Sequence, residues 1–333
     1  MCDSDDLWTD TDDPADGPAD GPAEEGGRRS GGRPVSPADP AADGPNPPPP
    51  ASPPPASAPP ASGSGAPSGS PAGAPLPPQV RPYLAELVDR TRTVCGPRPV
   101  SVLAVGSLAL GDYRHGRSDV DVTVVVDPSL PRPALAELAA ALAHPALPCP
   151  AAGLELVLYG AGFAARPSAR AGYLLDLNTG PDLPEKVSFD PDGAAPFWYV
   201  IDRSVAARAG LRLHGRPAHE AIAEPDRPDL LRALRASVRE HTDGEGHLAD
   251  NRVLNGCRSV VFCRTGRWTA KRRAGRAVAE TDPAFRPLIE NALAGYDRPR
   301  RAARPLPAAD VRAFLTWVAA RVEETARASE DPR

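Results

Sequence analysis

The chain has 333 residues, with 38 Lys and Arg, 43 Asp and Glu, and a formal net charge of −5. Residues 1–76 contain 12 acidic and 3 basic residues, a net charge of −9, so the remainder of the chain carries +4. A mildly basic globular part suits a nucleotide phosphate, but it lacks the strongly basic stripe of a protein that grips nucleic acid by its backbone. We therefore expect no nucleic-acid partner.

The N-terminal quarter of the chain differs in composition from the rest. It consists mainly of Pro, Ala, Gly, Ser and Asp and has few larger apolar side chains, among them Leu7, Trp8 and Val35. Such a segment cannot bury enough surface to offset the entropy lost on ordering. We predict that residues 1–76 form a disordered tail, and we favour a solvated spacer over an interaction segment for it.

Targeting signals and cysteine pairs give little indication of export. The N-terminus is acidic where a secretory signal is basic, and no later stretch approaches the 18 or so apolar residues of a membrane span. The five cysteines, Cys2, Cys95, Cys149, Cys257 and Cys263, have no CxxC spacing, which argues against a disulfide framework and a zinc site. We expect a cytoplasmic protein without a membrane partner.

The predicted elements begin with a helix, where apolar residues recur at helical spacing over residues 80–94 until Gly96 and Pro97. A strand follows at residues 100–105, then a short helical turn at 108–113 and a strand at 119–126, which Asp127 and Pro128 end. A helix at 133–143 and a strand at 154–159 complete an α, β, α, β, α, β order. We predict an edge strand at 174–177 and a helix at 197–209.

Everything after the turn at residues 225–228 has helical periodicity, over residues 230–241, 251–264, 271–280, 284–294 and 308–328. The fold class is therefore α/β, a mixed-sheet domain at residues 77–224 followed by an all-helical domain at 225–330. No internal repeat is apparent.

Two features near the second strand carry chemistry. Asp119 and Asp121 lie two apart on a strand, so their carboxylates leave the same face about 7 Å apart and repel by roughly 2 kcal/mol. A Mg²⁺ ion held by both carboxylates and by ATP phosphate oxygens would remove this penalty. Gly106 and Ser107, in the preceding turn, allow a close approach of phosphate to the backbone. A solvated strand end is the alternative for the acidic pair alone.

Glu155 lies in the next predicted strand between two leucines, where a carboxylate is costly without a partner or a task. If this strand lies beside the Asp119 strand, Glu155 would be a third metal ligand or the base that removes a proton from an acceptor hydroxyl. An edge residue that faces water is the alternative.

These residues resemble the aminoglycoside adenylyltransferases that modify streptomycin and spectinomycin. The resemblance covers roughly residues 80–325 and depends on two motifs. The first is Gly106-Ser107 with Ser118-Asp119-Val120-Asp121 and Glu155, and the second runs from residue 253 through Arg258 to Lys271. It implies a nucleotidyltransferase domain of the polymerase-beta type. Ser118 would belong to the nucleotide-binding residues, Arg258 and Lys271 would contact the ATP phosphates, and Glu155 would be the catalytic base.

The residues themselves partly support these two roles. Arg258 shares a helix face with Leu254, Val261 and Phe262, so it should point into an interface. Lys271 is one of two lysines, with Lys186, in a chain that otherwise uses Arg for positive charge. An inter-domain salt bridge remains the alternative for both.

The resemblance implies a Mg²⁺-dependent transfer of AMP from ATP to a hydroxyl of a small cationic, aminoglycoside-type acceptor, by an enzyme expected to be monomeric. It weakens at the acceptor site. Residues 173–184 lack the Trp that the family uses, and Asp182, Asp243, Glu245 and Asp250 do not align cleanly with the family's acceptor contacts. Two alternatives remain open: a related nucleotidyltransferase that modifies a protein or another small hydroxyl compound, and a nucleotide-sensing module without catalysis.

Overall fold

The computed structural model describes residues 76–126, 130–243 and 248–330. The predicted tail lies outside these ranges except for Leu76, and the predicted strand-ending residues Asp127 and Pro128 lie outside them too. The first element is helix α1 (Arg81–Cys95), which buries Tyr83, Leu84 and Leu87 on one face. It ends where Gly96 adopts a φ of 63°, a left-handed conformation that favours glycine.

A six-stranded mixed sheet forms the centre of the N-terminal half. Its strands are β1 (Pro99–Ala104), β2 (Val120–Val126), β3 (Leu154–Gly160), β4 (Leu175–Thr179), β5 (Lys186–Ser188) and β6 (Leu211–Gly215). They lie in the order β5-β4-β3-β2-β1-β6, with β2 and β3 parallel and the other neighbours antiparallel. Strand β2 is buried along most of its length, which explains its run of valines in place of an alternating pattern.

The two faces of the sheet are covered differently. On one face, α1 and α3 (Arg132–Leu142) complete a large apolar cluster with residues such as Val102, Val122, Val124, Leu156 and Leu158. On the other face, α5 (Pro196–Ala209) and α6 (Ala218–Ala221) form a smaller cluster with Leu103, Val125 and Tyr159. Asp121 and Glu155 share this second face, since each lies four residues before Val125 or Tyr159 on its strand. Part of this face is therefore polar.

Two further four-residue helices, α2 (Gly106–Ala109) and α4 (Ala161–Ala164), follow β1 and β3. The C-terminal half is helical, with α7 (Arg227–Asp243), α8 (Ala249–Thr265), α9 (Lys271–Thr281), α10 (Arg286–Tyr296) and α11 (Ala308–Glu330). Single 3₁₀ turns at Pro283–Phe285 and Arg300–Ala302 lie between helices. These helices enclose their own apolar cluster, built on residues such as Leu234, Leu254, Val260, Phe314 and Val318. Within the described ranges, no helix is long and apolar enough to cross a membrane.

The predicted fold class is confirmed, because a mixed sheet precedes a helical region and each predicted helix is present. The position of one strand is wrong: the segment at 174–177 is part of β4, which lies between β3 and β5 and is not an edge strand. Strands β5 and β6 were not predicted, because three and five residues are too few to show a convincing alternation. The domain boundary at residues 224 and 225 stays a prediction.

A buried ion pair connects the sheet half with the helical half. Arg117, just ahead of β2, donates from Nη2 to Oδ1 of Asp250 on α8 over 2.7 Å, and the two side chains are 3% and 1% exposed. The Arg117 guanidinium also lies 5.1 Å from the centre of the Tyr296 ring. Because both charges are removed from water, the loss of either partner would leave the other uncompensated.

We predict that Asp250→Ala destabilises the protein by about 3–5 kcal/mol, since Arg117 would remain buried without its counter-ion. The control is Asp192→Ala, which breaks an exposed pair with Arg170 whose side chains are 78% and 74% exposed and should cost less than about 1 kcal/mol. Urea unfolding followed by circular dichroism compares the two. Equal shifts of the unfolding midpoint would contradict a structural role for the buried pair.

Candidate functional site

A cavity of about 440 Å³ lies between the polar part of the sheet face and the C-terminal helices. The β1–α2 turn, strands β2 to β5 and helices α5, α7, α8 and α9 all contribute to its walls. Among the residues that line it are all but one of the sequence-predicted site residues: Gly106, Ser107, Asp119, Asp121, Glu155, Arg258 and Lys271. The structure therefore brings residues of the two motifs, which are far apart in sequence, to one place.

The turn after β1 is packed directly against the acidic strand. Gly106 has a φ of 54°, and a Cβ at this position would lie 1.9 Å from Asp121 Oδ2. The amide of Val105 donates to the carbonyl of Asp121 over 2.9 Å, and a main-chain hydrogen bond from Ser107 reaches the Asp121 carboxylate. The glycine is therefore required both by its backbone conformation and by the space that Asp121 occupies.

Asp121 and Glu155 lie side by side in neighbouring strands. They are direct partners in the parallel β2–β3 register, and Asp119 lies one residue before β2 and also lines the cavity. Strands β2 and β3 are therefore neighbours, as the prediction of Glu155 as a metal ligand or base required. Three carboxylates meet at this end of the sheet.

This grouping makes the charged forms of the carboxylates costly. Burial raises the pKa of Asp121, and the nearby Asp119 and Asp202 carboxylates raise it further, while Lys271 opposes the shift. Burial likewise raises the pKa of Glu155 well above its usual range, with contributions from Asp119 and Asp121. The site therefore needs positive charge if all of its carboxylates are to be ionised together.

Positive charge approaches from the helical half. Arg258 on α8 lies 5.5 Å from the Trp268 ring centre, and its Nε is buried without a hydrogen-bond partner among the described residues. Lys271, at the first position of α9, donates to Asn251 Oδ1 over 3.3 Å and lies 5.6 Å from the Tyr296 ring centre. Burial lowers the pKa of both cations, and the acidic residues of the cavity oppose that shift.

Two family descriptions match this chain. Residues 86–159 match "Nucleotidyltransferase domain", which includes the Gly106 turn, both aspartates and Glu155. Residues 222–321 match "Aminoglycoside adenylyltransferase, C-terminal domain", which includes Arg258 and Lys271. The chain belongs to the aminoglycoside adenylyltransferase family. It is accordingly an enzyme of the nucleotidyltransferase class.

A solved structure with the same fold is the spectinomycin adenyltransferase AAD(9) from Enterococcus faecialis, determined with ATP and spectinomycin. The two chains superpose with a TM-score of 0.54 at 18% sequence identity, over 73% of this chain and 98% of the other. A comparison with the curated proteins finds no match.

The residues of this family member fit a divalent cation that is shared with a substrate. Within the described part of the chain, no group of three or more His, Cys, Asp or Glu residues is arranged to hold a metal ion alone. Mg²⁺ commonly takes one or two carboxylates and completes its shell with water and phosphate oxygens. Asp119 and Asp121 supply such a pair, and the buried Ser107 hydroxyl beside them has no hydrogen-bond partner among the described residues.

Five charged residues that line the cavity were not predicted as site residues: Asp112, Asp176, Lys186, Asp202 and Arg300. Asp202 on α5 lines it, and burial raises the pKa of this residue to about 6 although Arg258 pulls it down. Arg300 Nη1 lies 3.3 Å from Asp119 Oδ2. Lys186 on β5 lies 2.7 Å from Asp176 on β4. The position of an acidic residue directly after the apolar stretch 197–201 was the available signal for Asp202, whereas the Arg300 segment has no periodicity.

The cavity contains a Trp side chain that the sequence analysis did not place there. Residues 173–184 lack a Trp, but Trp198 reaches the cavity wall from α5, and its ring centre lies 5.4 Å from that of His241. Among the acidic candidates, Asp182 pairs with Arg301 over 2.6 Å, and Asp250 is bound by Arg117. The side chains of Asp243 and Glu245 lie outside the described residues.

Ser118 is the predicted site residue that the structure leaves outside the cavity lining. It is 5% exposed, and its Oγ accepts a hydrogen bond from the Arg114 amide over 3.1 Å. This geometry gives Ser118 the task of shaping the loop ahead of Asp119. Its contact with a nucleotide stays a prediction.

We predict that Gly106→Ala weakens Mg²⁺-dependent ATP binding by about tenfold or more, because the new methyl group would displace the Asp121 carboxylate. Gly111→Ala is a matched control: its φ is 68°, but no atom lies within 4 Å of the added Cβ. Both variants carry the backbone strain of roughly 1 kcal/mol, and only the first meets Asp121. Titration calorimetry with ATP and Mg²⁺ measures the affinity of each variant. Equal affinities for ATP would contradict the claim that Gly106 is required because Asp121 occupies the space beside it.

Proposed function

We propose that the protein transfers AMP from ATP to a hydroxyl of an aminoglycoside-type antibiotic and releases pyrophosphate. The observation that carries the proposal is the division of charge in one cavity, where three sheet carboxylates face Arg258 and Lys271 from the helical region. Carboxylates suit a shared cation, and cations suit a triphosphate. The proposed nucleotidyltransferase and helical domains, residues 77–224 and 225–330, each supply one of these two sets.

In the proposed complex, the triphosphate lies between the Gly106 turn and the two cations. Gly106 lets Asp121 pack against this turn, and the Ser107 hydroxyl beside it, which has no hydrogen-bond partner among the described residues, can donate to a phosphate oxygen. Arg258 offers a buried Nε that lacks a partner among the described residues, and Lys271 adds a compact ammonium group. Both neutralise the negative charge that builds on the leaving pyrophosphate.

Asp119 and Asp121 would hold the Mg²⁺ ion. When bound, this ion would neutralise charge on the reacting phosphate and help to align it. Strand β2 and the Gly106 turn already orient Asp121, so this carboxylate would need little reorganisation when ATP and Mg²⁺ bind.

Glu155 has the position of a general base. It borders Asp121 in the β2–β3 register and lies on the side of the cavity away from the Gly106 turn. In the proposed step, Glu155 takes the proton of the acceptor hydroxyl while that oxygen forms a bond to the α-phosphorus and the bond to pyrophosphate breaks. Glu155 acts as a base only in its ionised form, so the cations at the cavity would have to offset the burial that raises its pKa.

The acceptor class depends on the family and on the remaining walls of the cavity. AAD(9), the relative of the same fold, was solved with spectinomycin, and we extend this acceptor type to the present chain. Trp198 provides a flat apolar surface for a sugar ring and Asp202 a buried negative charge for an amine. We expect a monomer, active in the cytoplasm where ATP is available.

We predict that Asp119→Asn and Asp121→Asn each reduce pyrophosphate release by about 100-fold or more, because each change removes one of the two carboxylates proposed to hold Mg²⁺. The assay uses purified protein, ATP, Mg²⁺ and a panel of aminoglycosides and spectinomycin, with product masses read by mass spectrometry. Asp89→Asn, an exposed acid on α1 whose side chain is 69% exposed, is the control. Full activity of both site variants would remove the proposed cation site.

We predict that Glu155→Gln keeps ATP binding but slows transfer by roughly 10²–10⁴-fold, the usual contribution of a general base. Because the change relieves repulsion among buried carboxylates, this variant should unfold at no lower temperature than the parent when divalent cations are absent. Calorimetric ATP titration, product mass and thermal unfolding form the three readouts. Unchanged turnover would show that the base lies elsewhere.

A further inference from the structure

The sheet presents a row of polar side chains that extends beyond the reacting carboxylates. In the strand registers, Asp121 pairs with Glu155, Glu155 with Asn178, and Asn178 with Lys186. All four line the cavity. Adjacent strands are about 4.8 Å apart, so the backbone of Lys186 lies roughly 10 Å from that of Glu155, with Asn178 between them. This direction leads away from the Gly106 turn.

Lys186 is held at the far end of this row by a buried partner. Its Nζ donates to Asp176 Oδ2 over 2.7 Å, and the Tyr199 hydroxyl donates to the same oxygen over 2.8 Å. The Asp176 side chain is 6% exposed, whereas that of Lys186 is 51% exposed. Both side chains line the cavity. The Asp176 oxygen already accepts two hydrogen bonds, and the Lys186 side chain is the more exposed of the two.

Both lysines of the chain, Lys186 and Lys271, line the same cavity. Lys271 belongs to the helical side, near the proposed phosphates, while Lys186 is separated from Glu155 by a full strand. A second cation beyond the base is out of reach of the triphosphate if the triphosphate occupies the turn. It therefore faces the other reactant.

Resting on the proposed adenylyl transfer, we propose that Lys186 and Asn178 form a distal acceptor subsite that selects molecules with hydroxyl, ether or carbonyl oxygens at that end. The ammonium group has three N–H donors, of which Asp176 takes one, and Asn178 adds an amide. Oxygen acceptors match these donors. A guanidinium or ammonium group placed there meets like charge and finds no acceptor on Lys186. The subsite thus favours a spectinomycin-like acceptor over a streptomycin-like one.

The test compares Lys186→Ala with Lys186→Arg and with Val187→Thr at saturating ATP and Mg²⁺. Val187 is the neighbouring residue on β5, is 42% exposed and does not line the cavity, so it controls for damage to this short strand. The acceptors are spectinomycin, rich in oxygens, and streptomycin, which carries guanidinium groups. Steady-state kinetics and calorimetric titration of each antibiotic supply independent readouts.

Lys186→Ala should raise the KM and the calorimetric Kd for spectinomycin by roughly tenfold or more, as for a lost charged hydrogen bond. The kcat and the KM for ATP should stay within about twofold. Streptomycin should lose no affinity, so the selectivity shifts towards it, and Lys186→Arg should recover most of the spectinomycin affinity. Val187→Thr should behave as the parent protein.

Lys186→Ala removes one hydrogen-bond donor from the buried Asp176 carboxylate, which could disturb the local structure. The double variant Lys186→Met with Asp176→Asn therefore checks that the loss of spectinomycin affinity does not come from such a disturbance. It removes both charges at similar volume and should show the same loss for spectinomycin. An unchanged spectinomycin Kd in either variant, or an equal loss for both antibiotics, would overturn the subsite, and so would a parent protein that binds no spectinomycin. Binding without any AMP transfer would instead contradict the proposed function and leave the subsite standing.

Discussion

The accumulation of negative charge at one end of the sheet is the constraint on which the rest of the site depends. Asp119, Asp121 and Glu155 are supplied by two parallel strands, and Asp202 reaches the same cavity from α5. Burial and mutual repulsion raise the pKa values of Asp121 and Glu155. Such an arrangement is unfavourable in isolation, so it persists only where cations from elsewhere in the chain offset it.

Those cations come from the helical half, and this division ties function to the packing of the two halves. Arg258 and Lys271 are fixed on α8 and α9, whose positions depend on the apolar cluster around Leu254 and Phe314. The buried pair between Arg117 and Asp250 then joins α8 to the loop that leads into the acidic strand. The electrostatic balance of the cavity is therefore a consequence of tertiary structure, because Arg258 and Lys271 reach the sheet carboxylates only when the two halves pack together.

The parts of the site that could be predicted from the sequence are those set by neighbouring residues of one segment; contacts between distant segments could not be predicted in this way. A period of two along β2 was enough to group Asp119 with Asp121, and the resemblance added Arg258 and Lys271. The contact between Glu155 and Asp121 required the pairing of β2 with β3, which neither strand reveals by itself. Residues 173–184 contain no Trp, whereas Trp198 lines the cavity from α5, which follows β5 in the chain. Asp202 and Arg300 were not predicted as site residues, because a single charged residue in a helix or a connection is ordinarily interpreted as exposed to solvent.

Arg300 shows how the free protein tolerates its own acidic site. Its guanidinium lies 3.3 Å from Asp119, and its main-chain amide donates to the Gly116 carbonyl over 3.2 Å, so the side chain is anchored beside the carboxylate. Arginine remains protonated even when partly buried, which a lysine does less reliably. A fixed guanidinium thus supplies part of the neutralisation that a divalent cation would otherwise have to provide alone. If a divalent cation binds Asp119 as proposed, it would replace Arg300 as the positive partner of this carboxylate. Such an exchange would cost less than the creation of a bare buried charge.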